Sequence, residues 1–361
     1  MRVSRGYRPR DIRASGTVAS VVTSRDVARL AGVSQATVSR VLSGSSTVRP
    51  ETKQRVSAAL ETLNYRPNSA ARSMRTRRSG AIGVVVANLT NPFFPEIVTA
   101  ISDKLRQTSH QMVLWDSDRS GPAAADAITE GVVDGLIFTT ATPSAARAGS
   151  ALKAALERGA PIVLVTRGLA DLACDQVTGT DFRGGLEVVD YLVYHGHTRL
   201  GLIGGPLEAS TAADREAGFW KGIQKHGLDT QPVAFCRGDF SYDDGRRSLH
   251  DLVTQNPRPS AIFCVNDLMA FGAIDACRSL GLGVPEDVWV IGYNDISMAS
   301  WGAYDLTTQR QPLSDMASKA VEFVLERVAQ PRLPPRICRF PSHLVVRGST
   351  ANAKWDNPTT G

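Results

Sequence analysis

The sequence predicts a small all-α headpiece followed by an α/β body of two doubly wound parallel-sheet lobes. Residues 23–42 read as two short helices joined by a tight turn. From residue 82 onward, short apolar runs rich in β-branched residues alternate with helical stretches. This alternation is typical of parallel sheets covered on both faces. It occurs twice, with a break near Asp181. We therefore expect two lobes, with a cleft where their strands end.

The charge of the chain is unevenly distributed. The 361 residues carry a net charge of +6, but residues 1–79 contain 16 Lys and Arg against 4 Asp and Glu. The basic head favours contact with a polyanion. A solvated basic tail would give the same asymmetry, yet eleven of the sixteen cations lie beyond residue 24. We interpret residues 1–21 as a disordered basic arm or as the product of a start codon assigned too early. Their composition does not exclude an organellar transit peptide.

The cysteine and hydropathy patterns indicate a cytoplasmic protein. The five cysteines are scattered, and no two have the spacing of metal ligands. Free thiols in a reducing compartment explain this usage best. No apolar run reaches the length needed to span a membrane, so no membrane partner is expected.

The helical signals of residues 23–42 predict a helix-turn-helix. Thr23 is a natural N-cap with Asp26 three residues later, and Gly32 suits the turn. On the first helix, Val27, Ala28, Leu30 and Ala31 form an apolar face, and on the second Val38, Val41 and Leu42 point inward. The alternative is an αα-corner in an ordinary helical core.

The second helix, opened by Ser34, has the outward side chains of a recognition helix. Gln suits adenine, Arg suits guanine or phosphate, hydroxyls suit phosphate oxygens, and an Ala methyl can touch thymine. These outward residues are Gln35, Ala36, Thr37, Ser39 and Arg40. They predict contact with double-stranded DNA in the major groove.

A third helix and a basic segment follow. Pro50 opens the third helix, whose apolar stripe comprises Val56, Ala59, Leu60 and Leu63. The headpiece therefore covers residues 22–67. Residues 68–79 are basic and rich in small residues, so they predict a linker that is largely disordered when free.

The ordered motifs of the chain resemble the LacI/GalR (lactose/galactose repressor) family from about Val22 to Gly348. The motifs are DVARLAGVSQATVSRVL, LNYRPNSAARSM, IGVVVANLTNPFF, DGLIF, GHTRLGLIGGP, DREAGF, AIFCVNDLMAFGA, GLGVPEDVWVIGYND and LTTQRQP. The resemblance implies a periplasmic-binding-protein-like body, residues 80–348, with crossings between lobes near 180, 309 and 341. Lobe 1 then covers about 80–180 and 312–340, and lobe 2 about 181–309 and 341–348. Residues 349–361 would form a disordered tail.

The resemblance also implies a hinge helix at residues 68–79 that folds on DNA and inserts Met74 into the minor groove as an apolar wedge. The alternative for this segment is a flexible linker. The DNA-binding residues are then Thr23, Ser34, Gln35, Ala36, Thr37, Ser39, Arg40, Ser43, Asn68, Arg72 and Met74.

The family's ligand-binding positions can be carried over one by one. They are Asn91, Phe93, Phe94, Arg215, Phe240, Asn266, Asn294 and Gln311. The aromatic residues suit a ring, although core packing is an alternative for Phe93 and Phe94, and a helix-face salt bridge is an alternative for Arg215. Asn294 stands where the family more often has Asp. An amide carries no charge and can donate as well as accept, so we do not expect Asn294 to bind sugar hydroxyls in the way that the Asp of sugar-binding members does. Arg167 is a further candidate for the cleft wall. The acids Asp116 and Asp118 are candidates for its rim, and the alternative for them is plain solvation.

No catalytic residues, metal site or cofactor are predicted. His195 and His197 resemble a metal pair, but they fall in a helix-to-strand turn with no third ligand nearby in sequence. No phosphate-binding loop or nucleophile elbow is present.

The sequence therefore predicts a ligand-responsive transcriptional regulator. We expect a repressor of carbohydrate or related small-molecule metabolism genes, with a sugar or sugar-like effector in the cleft. We expect a homodimer on a near-palindromic operator, with a tetramer left open. The alternatives are a solute-binding protein and a sugar-acting enzyme with a fused DNA-binding head.

Overall fold

The computed structural model describes residues 22–42, 45–65, 78–116, 124, 126–139, 146–169, 171–228, 234–255 and 258–350. The chain divides into two compact units, residues 1–75 and 76–361. The described part of the first unit is helical, and the second unit contains two parallel sheets with flanking helices. The predicted fold class is confirmed.

The described part of the headpiece contains three helices, α1 (Ser24–Ala31), α2 (Gln35–Leu42) and α3 (Pro50–Thr62). The carboxylate of Asp26 accepts hydrogen bonds from the Thr23 backbone N–H (3.0 Å) and hydroxyl (2.7 Å), which fixes the start of α1. Gly32 ends α1 with a φ of 61°, a conformation that costs glycine little. Arg55 of α3 donates to the carbonyl oxygens of Ala31 and Gly32, so it ties α3 to this turn.

The headpiece core is small. Its buried apolar residues are Val27, Ala28, Ala31, Val38, Val56 and Ala59. Two expectations from helical periodicity are wrong, because the side chains of Leu30 and Leu42 are 53% and 40% exposed. The three short helices bury one narrow stripe each, and these two leucines lie at the margins of their stripes.

The first lobe of the body is built on a six-stranded parallel sheet. Its strand order is β11-β5-β4-β3-β1-β2. The strands are β1 (Ala81–Val86), β2 (Gln111–Asp116), β3 (Gly135–Phe138), β4 (Ile162–Thr166), β5 (Asp175–Gly179) and β11 (Ile337–Phe340). The helices of this lobe whose bounds are described include α4 (Phe93–Gln107), α5 (Ala146–Glu157) and α10 (Leu313–Ala329).

The second lobe repeats this plan. Its sheet has the order β12-β10-β9-β8-β6-β7, parallel except for the antiparallel pair of β10 and β12. The strands are β6 (Leu200–Gly204), β7 (Ala234–Arg237), β8 (Ala261–Cys264), β9 (Trp289–Asn294), β10 (Thr307–Arg310) and β12 (His343–Val345). The helices are α6 (Asp181–Tyr194), α7 (Ser210–Lys225), α8 (Tyr242–Val253) and α9 (Asp267–Ser279).

The chain passes between the two sheets three times. The passages connect β5 to α6, β10 to α10, and β11 to β12. The last helix, α10, packs against α4 and strands of the first lobe. These passages bring polar groups of both lobes to the same cleft.

Four strands have no counterpart among the strands that the sequence indicated. They are β5, β10, β11 and β12, which are short and carry polar residues. Asp175, Gln176, Thr307, Thr308 and Gln309 are buried in β5 and β10. Their side chains find partners within the fold, so these strands lack the apolar run by which a buried strand is recognised.

Candidate functional site

The second helix of the headpiece turns a polar face outward. Its Val38 is fully buried, while Gln35, Ala36 and Arg40 are exposed and Thr37 and Ser39 are half-buried. The Ser34 hydroxyl accepts a hydrogen bond from the Thr37 backbone N–H at 3.2 Å, which caps α2. This face has the hydrogen-bonding groups that contact base edges and phosphates in a major groove.

Two further predicted DNA-binding groups have partners inside the headpiece. The Thr23 hydroxyl donates to Asp26, and the Gln35 Nε2 donates to the Ser24 Oγ at 2.7 Å. The Gln35 amide is thereby oriented from α1. The remaining members of the predicted set lie outside the described residues; they are Ser43, Asn68, Arg72 and Met74.

The body contains a cavity of about 160 Å³ between its two lobes. The first lobe lines it with Ala87, Asn88, Asn91, Phe93, Phe94, Thr166 and Arg167. The second lobe contributes Thr211, Arg215, Asp239, Phe240, Asn266 and Asn294. Many of these residues directly follow or end parallel strands, where α/β folds place their ligands.

Backbone conformation also marks this cavity. Four of its non-glycine residues have a positive φ: Asn88 (50°), Thr166 (71°), Phe240 (71°) and Asn294 (122°). Such conformations cost free energy and cluster at binding sites, where the surrounding structure holds them. For Thr166 the cost is largest, since its side chain is β-branched.

Arg215 is held in a buried ion pair. Its Nε donates to Asp181 Oδ1 at 2.7 Å and its Nη1 to the Val265 carbonyl oxygen at 2.7 Å. Its guanidinium carbon lies 3.7 Å from the centroid of the Tyr293 ring. Burial, with the nearby Asp181 carboxylate, raises the pKa of the Tyr293 hydroxyl, so this phenol stays neutral. The guanidinium is therefore fixed on the cleft wall with its charge compensated.

Two glycines make this ion pair possible. A Cβ on Gly218 of α7 would lie 1.9 Å from the Phe182 carbonyl oxygen, and one on Gly185 of α6 would lie 2.1 Å from the Arg215 carbonyl oxygen. The two helices therefore pack backbone to backbone. This close packing places Arg215 against Asp181.

The amides of the cleft are oriented by hydrogen bonds within the protein. Asn266 caps α9, since its Oδ1 accepts from the Met269 N–H at 2.9 Å, and its Nδ2 donates to the Phe240 carbonyl oxygen at 3.0 Å. Gln311 is buried but does not line the cavity. Its Nε2 donates to Asn294 Oδ1 at 2.8 Å, so Gln311 reaches the cleft through Asn294.

Part of the cavity wall consists of residues that the sequence does not indicate. Ala87, Asn88, Thr166, Thr211 and Asp239 line the cavity but were not predicted to do so. Ala87, Asn88, Thr166 and Asp239 lie beside strand ends, and this position could have revealed them. Thr211 lies at the start of α7. Among the further candidates for the cleft wall and rim, Arg167 lines the cavity and Asp116 does not. Asp118 lies outside the described residues.

The histidine pair lies in the turn after α6. His195 follows the helix, and His197 Nδ1 is 2.9 Å from the Ser260 Oγ. Burial lowers the pKa of both imidazoles. Within the described ranges, no group of three or more His, Cys, Asp or Glu side chains could hold a metal ion.

In the part of the chain that the structure describes, no helix is both long and apolar enough to cross a membrane.

Comparison with known proteins gives two family matches. Residues 23–68 match bacterial regulatory proteins of the lacI family, and residues 189–350 match a periplasmic binding protein-like domain. The chain is 32% identical over 341 residues to the HTH-type transcriptional repressor PurR of Escherichia coli O1:K1 / APEC, covering 93% of this chain and 98% of PurR.

Two solved structures share the architecture. The lac repressor dimer bound to operator and the anti-inducer ONPF superposes with a TM-score of 0.78 at 29% identity, covering 91% of this chain and 99% of that one. The complex of the transcriptional regulator CelR with cellobiose has a TM-score of 0.68 at 29% identity, with coverage of 91% and 99%.

Proposed function

The chain belongs to the lacI family of bacterial regulatory proteins, and on that premise we propose how its parts divide the work of a ligand-responsive DNA-binding transcriptional regulator. The headpiece reads the operator, and the cleft of the body binds the effector. The single observation that carries the first half is α2, which buries Val38 and turns five polar or small side chains outward.

The recognition helix enters the major groove. Gln35 and Arg40 read base edges, Ala36 approaches a thymine methyl, and the hydroxyls of Ser34, Thr37 and Ser39 position the helix on phosphates. Thr23 and Ser43 add contacts at the ends of the helices. The Gln35 bond to Ser24 supports this assignment, because a fixed amide discriminates bases better than a free one.

Dimerisation completes the DNA-binding unit. Two headpieces of a homodimer bind a near-palindromic operator with two-fold symmetry. The segment 68–79 folds as a hinge in the central minor groove, where Asn68 and Arg72 contact the backbone and Met74 acts as a wedge. The basic charge of residues 1–79 supports this role.

The cleft binds a small effector. Asn91, Phe93, Phe94, Arg215, Phe240, Asn266 and Asn294 contact it, and Gln311 positions Asn294. The aromatic residues suit a ring, and CelR, which has the same fold, is complexed with cellobiose. We therefore assign a sugar or sugar-like effector and control of carbohydrate genes. The effector changes operator affinity by its differential affinity for two states of the lobes.

The protein acts in the cytoplasm, where its DNA partner is, and represses transcription. The alternatives, a solute-binding protein and a sugar-acting enzyme with a DNA-binding head, lack support of this kind. A solute-binding protein does not account for the outward face of α2, and the relatives PurR and the lac repressor are transcriptional repressors, which favours a regulator over an enzyme with a DNA-binding head.

Selection of duplexes from a random pool by the full chain tests the proposal. We expect enrichment of a two-fold symmetric site, and loss of that enrichment in Gln35→Ala. Gln54→Ala is the matched control, because Gln54 is an exposed glutamine on α3, away from the recognition face. Absence of any preferred duplex over random competitor, with and without effectors, would refute the assignment.

A further inference from the structure

Arg167 is a cation of the cleft wall without an acidic partner. It follows Thr166 at the end of β4, and its guanidinium carbon lies 5.4 Å from the centroid of the Phe240 ring. Across the described part of the chain, no hydrogen bond or ion pair engages its guanidinium. Desolvation and the nearby charge of Arg215 lower its pKa to about 10, against the Asp181 carboxylate, which raises it, so Arg167 remains charged at neutral pH.

Three acids lie in or near the cleft, and none of them forms an ion pair with this cation in the described residues. Asp181 binds Arg215 at 2.7 Å. Asp239 is exposed, and its Oδ1 accepts from the Ser241 N–H at 3.0 Å. Asp267 is buried beneath the cleft, where it receives hydrogen bonds from Thr308 and Ile296. In the described residues, therefore, no carboxylate forms an ion pair with the Arg167 guanidinium, although Asp239 lines the same cavity.

The uncharged polar groups of the wall present donors. The Oδ1 atoms of Asn88, Asn91 and Asn294 accept hydrogen bonds from Thr90 Oγ1, Phe93 N and Gln311 Nε2 respectively. In the described residues, no partner engages their Nδ2 groups. Each of these three amides therefore has Nδ2 donors available for a ligand. A ligand with acceptor atoms suits this wall.

We propose that the effector is an anion whose carboxylate or phosphate oxygens bind the Arg167 guanidinium, with its ring against Phe240. This inference rests on the ligand-responsive role proposed above and names the chemistry of the ligand. A neutral ligand would cover Arg167 and leave a cation without a partner in a low-dielectric site, which is costly. An anion supplies the partner through charge-assisted hydrogen bonds that guanidinium geometry favours. Sugar acids and sugar phosphates share this chemistry.

Calorimetric titration of the full chain with matched pairs tests the proposal. The pairs are D-glucuronate with D-glucose, and D-ribose 5-phosphate with D-ribose. We expect at least one acid to bind about tenfold or more tightly than its neutral counterpart, which corresponds to one charge-assisted contact. A preference in the first pair identifies a carboxylate, and one in the second a phosphate. If no acid exceeds its neutral counterpart, including the case in which no probe binds, the proposal is overturned.

Two variants distinguish binding at Arg167 from a general effect of the protein's net charge. Arg167→Gln should remove the preference for the acid, whereas Arg158→Gln, which removes a charge from an exposed position of the same lobe, should keep it. A preference that survives in Arg167→Gln overturns the proposal. Thermal unfolding checks the fold, and we expect Arg167→Gln to melt no lower than the parent, since it removes an unpaired, largely buried cation.

The outcome is independent of the operator experiment. A chain that selects an operator and releases it with a neutral sugar would refute the anionic effector and leave the regulator assignment standing. A chain that binds the acid through Arg167 but prefers no duplex would refute the regulator assignment and leave the anionic ligand standing.

Discussion

Glu96 of the first lobe accepts two hydrogen bonds from Ser297 of the second lobe. The Glu96 Oε1 lies 2.8 Å from the Ser297 backbone N and 2.7 Å from its Oγ, although the residues are 201 positions apart. Glu96 belongs to the first turn of α4, which also carries the cleft residues Phe93 and Phe94. This contact therefore spans the lobes beside the cleft and stabilises the lobe spacing seen here.

We expect Glu96→Ala to shift the lobes away from this spacing. Loss of both bonds should cost about 1 kcal/mol, hence raise the open population roughly fivefold. Small-angle X-ray scattering of the full chain reports the lobe spacing, and the fitted open fraction should rise by that factor. Glu322→Ala is the control, because in the described residues Glu322 pairs with Lys319 on the same helix. Scattering that is unchanged in Glu96→Ala would show that the contact does not hold the lobes.

Asp175 ties together three parts of the first lobe. It is fully buried in β5 and is bonded by Arg327 of α10 at 2.7 Å and by Arg336, just before β11, at 3.0 Å. We expect Asp175→Asn to lower the free energy of unfolding by about 3–5 kcal/mol, because it leaves the buried Arg327 without its charge partner and leaves Arg336 only its pair with Glu326. Urea unfolding measures the change. Glu322→Gln, which breaks an exposed pair, should cost less than about 1 kcal/mol.

The same carboxylate predicts acid sensitivity. Burial of Asp175 raises its pKa, but the hydrogen bonds and charges of Arg336 and Arg327 outweigh this and hold the pKa below 3.8. A lowered pKa in the folded state contributes stability above pH 3.8, which is lost as the pH falls through the folded value. The stability difference between the parent chain and Asp175→Asn should therefore narrow under acid.

Asp267 should make the free energy of unfolding depend on pH in the opposite direction. Burial raises its pKa from 3.8 to about 7, against the hydrogen bonds from Thr308 and Ile296, which lower it. The folded state therefore retains a proton that the unfolded state has released. Stability should fall as the pH rises from about 4 to about 7, by up to roughly 4 kcal/mol. In Asp267→Asn, urea titrations across this range should show a smaller slope. An identical slope would mean that the carboxyl titrates normally.

Gly218 sets the spacing of α6 and α7. A Cβ there would lie 1.9 Å from the Phe182 carbonyl oxygen, so Gly218→Ala must push the helices apart and stretch the pair of Arg215 with Asp181. We expect weaker effector binding and a loss of stability of about 1–3 kcal/mol. Gly302→Ala is the control, since nothing lies within 4 Å of its Cβ position. Equal behaviour of the two variants would contradict this account.

Arg55 closes the headpiece from α3. Its guanidinium donates to Ala31 and Gly32 carbonyl oxygens at the end of α1. We expect Arg55→Ala to weaken operator binding through a loss of headpiece stability of about 1–3 kcal/mol, with unfolding of the body unchanged. Thermal unfolding followed by helical circular dichroism distinguishes this loss of stability from the loss of a phosphate contact. Lys53→Ala is the control variant. If Arg55→Ala loses operator affinity at full headpiece stability, Arg55 contacts DNA instead.

Local sequence signals suffice to predict the two units and the family. Capping residues, the glycine turn and helical periodicity indicated α1 to α3, and apolar β-branched runs indicated most of the parallel strands. These signals are local, because a cap or an apolar stripe lies within a few residues. The polar face of α2 followed from the same periodicity.

Only the tertiary structure decided which polar residues belong to the interior and the cleft. The strands β5 and β10 were overlooked because their buried side chains, such as Asp175 and Thr308, depend on partners distant in sequence. Leu30 and Leu42 were misjudged because a three-helix headpiece has too little interior to bury every apolar residue. Arg215 is compensated and Arg167 is not, since one meets Asp181 across two close helices and the other meets no carboxylate in the described chain. Pairing of charges is a property of three-dimensional neighbours, which a linear pattern does not specify.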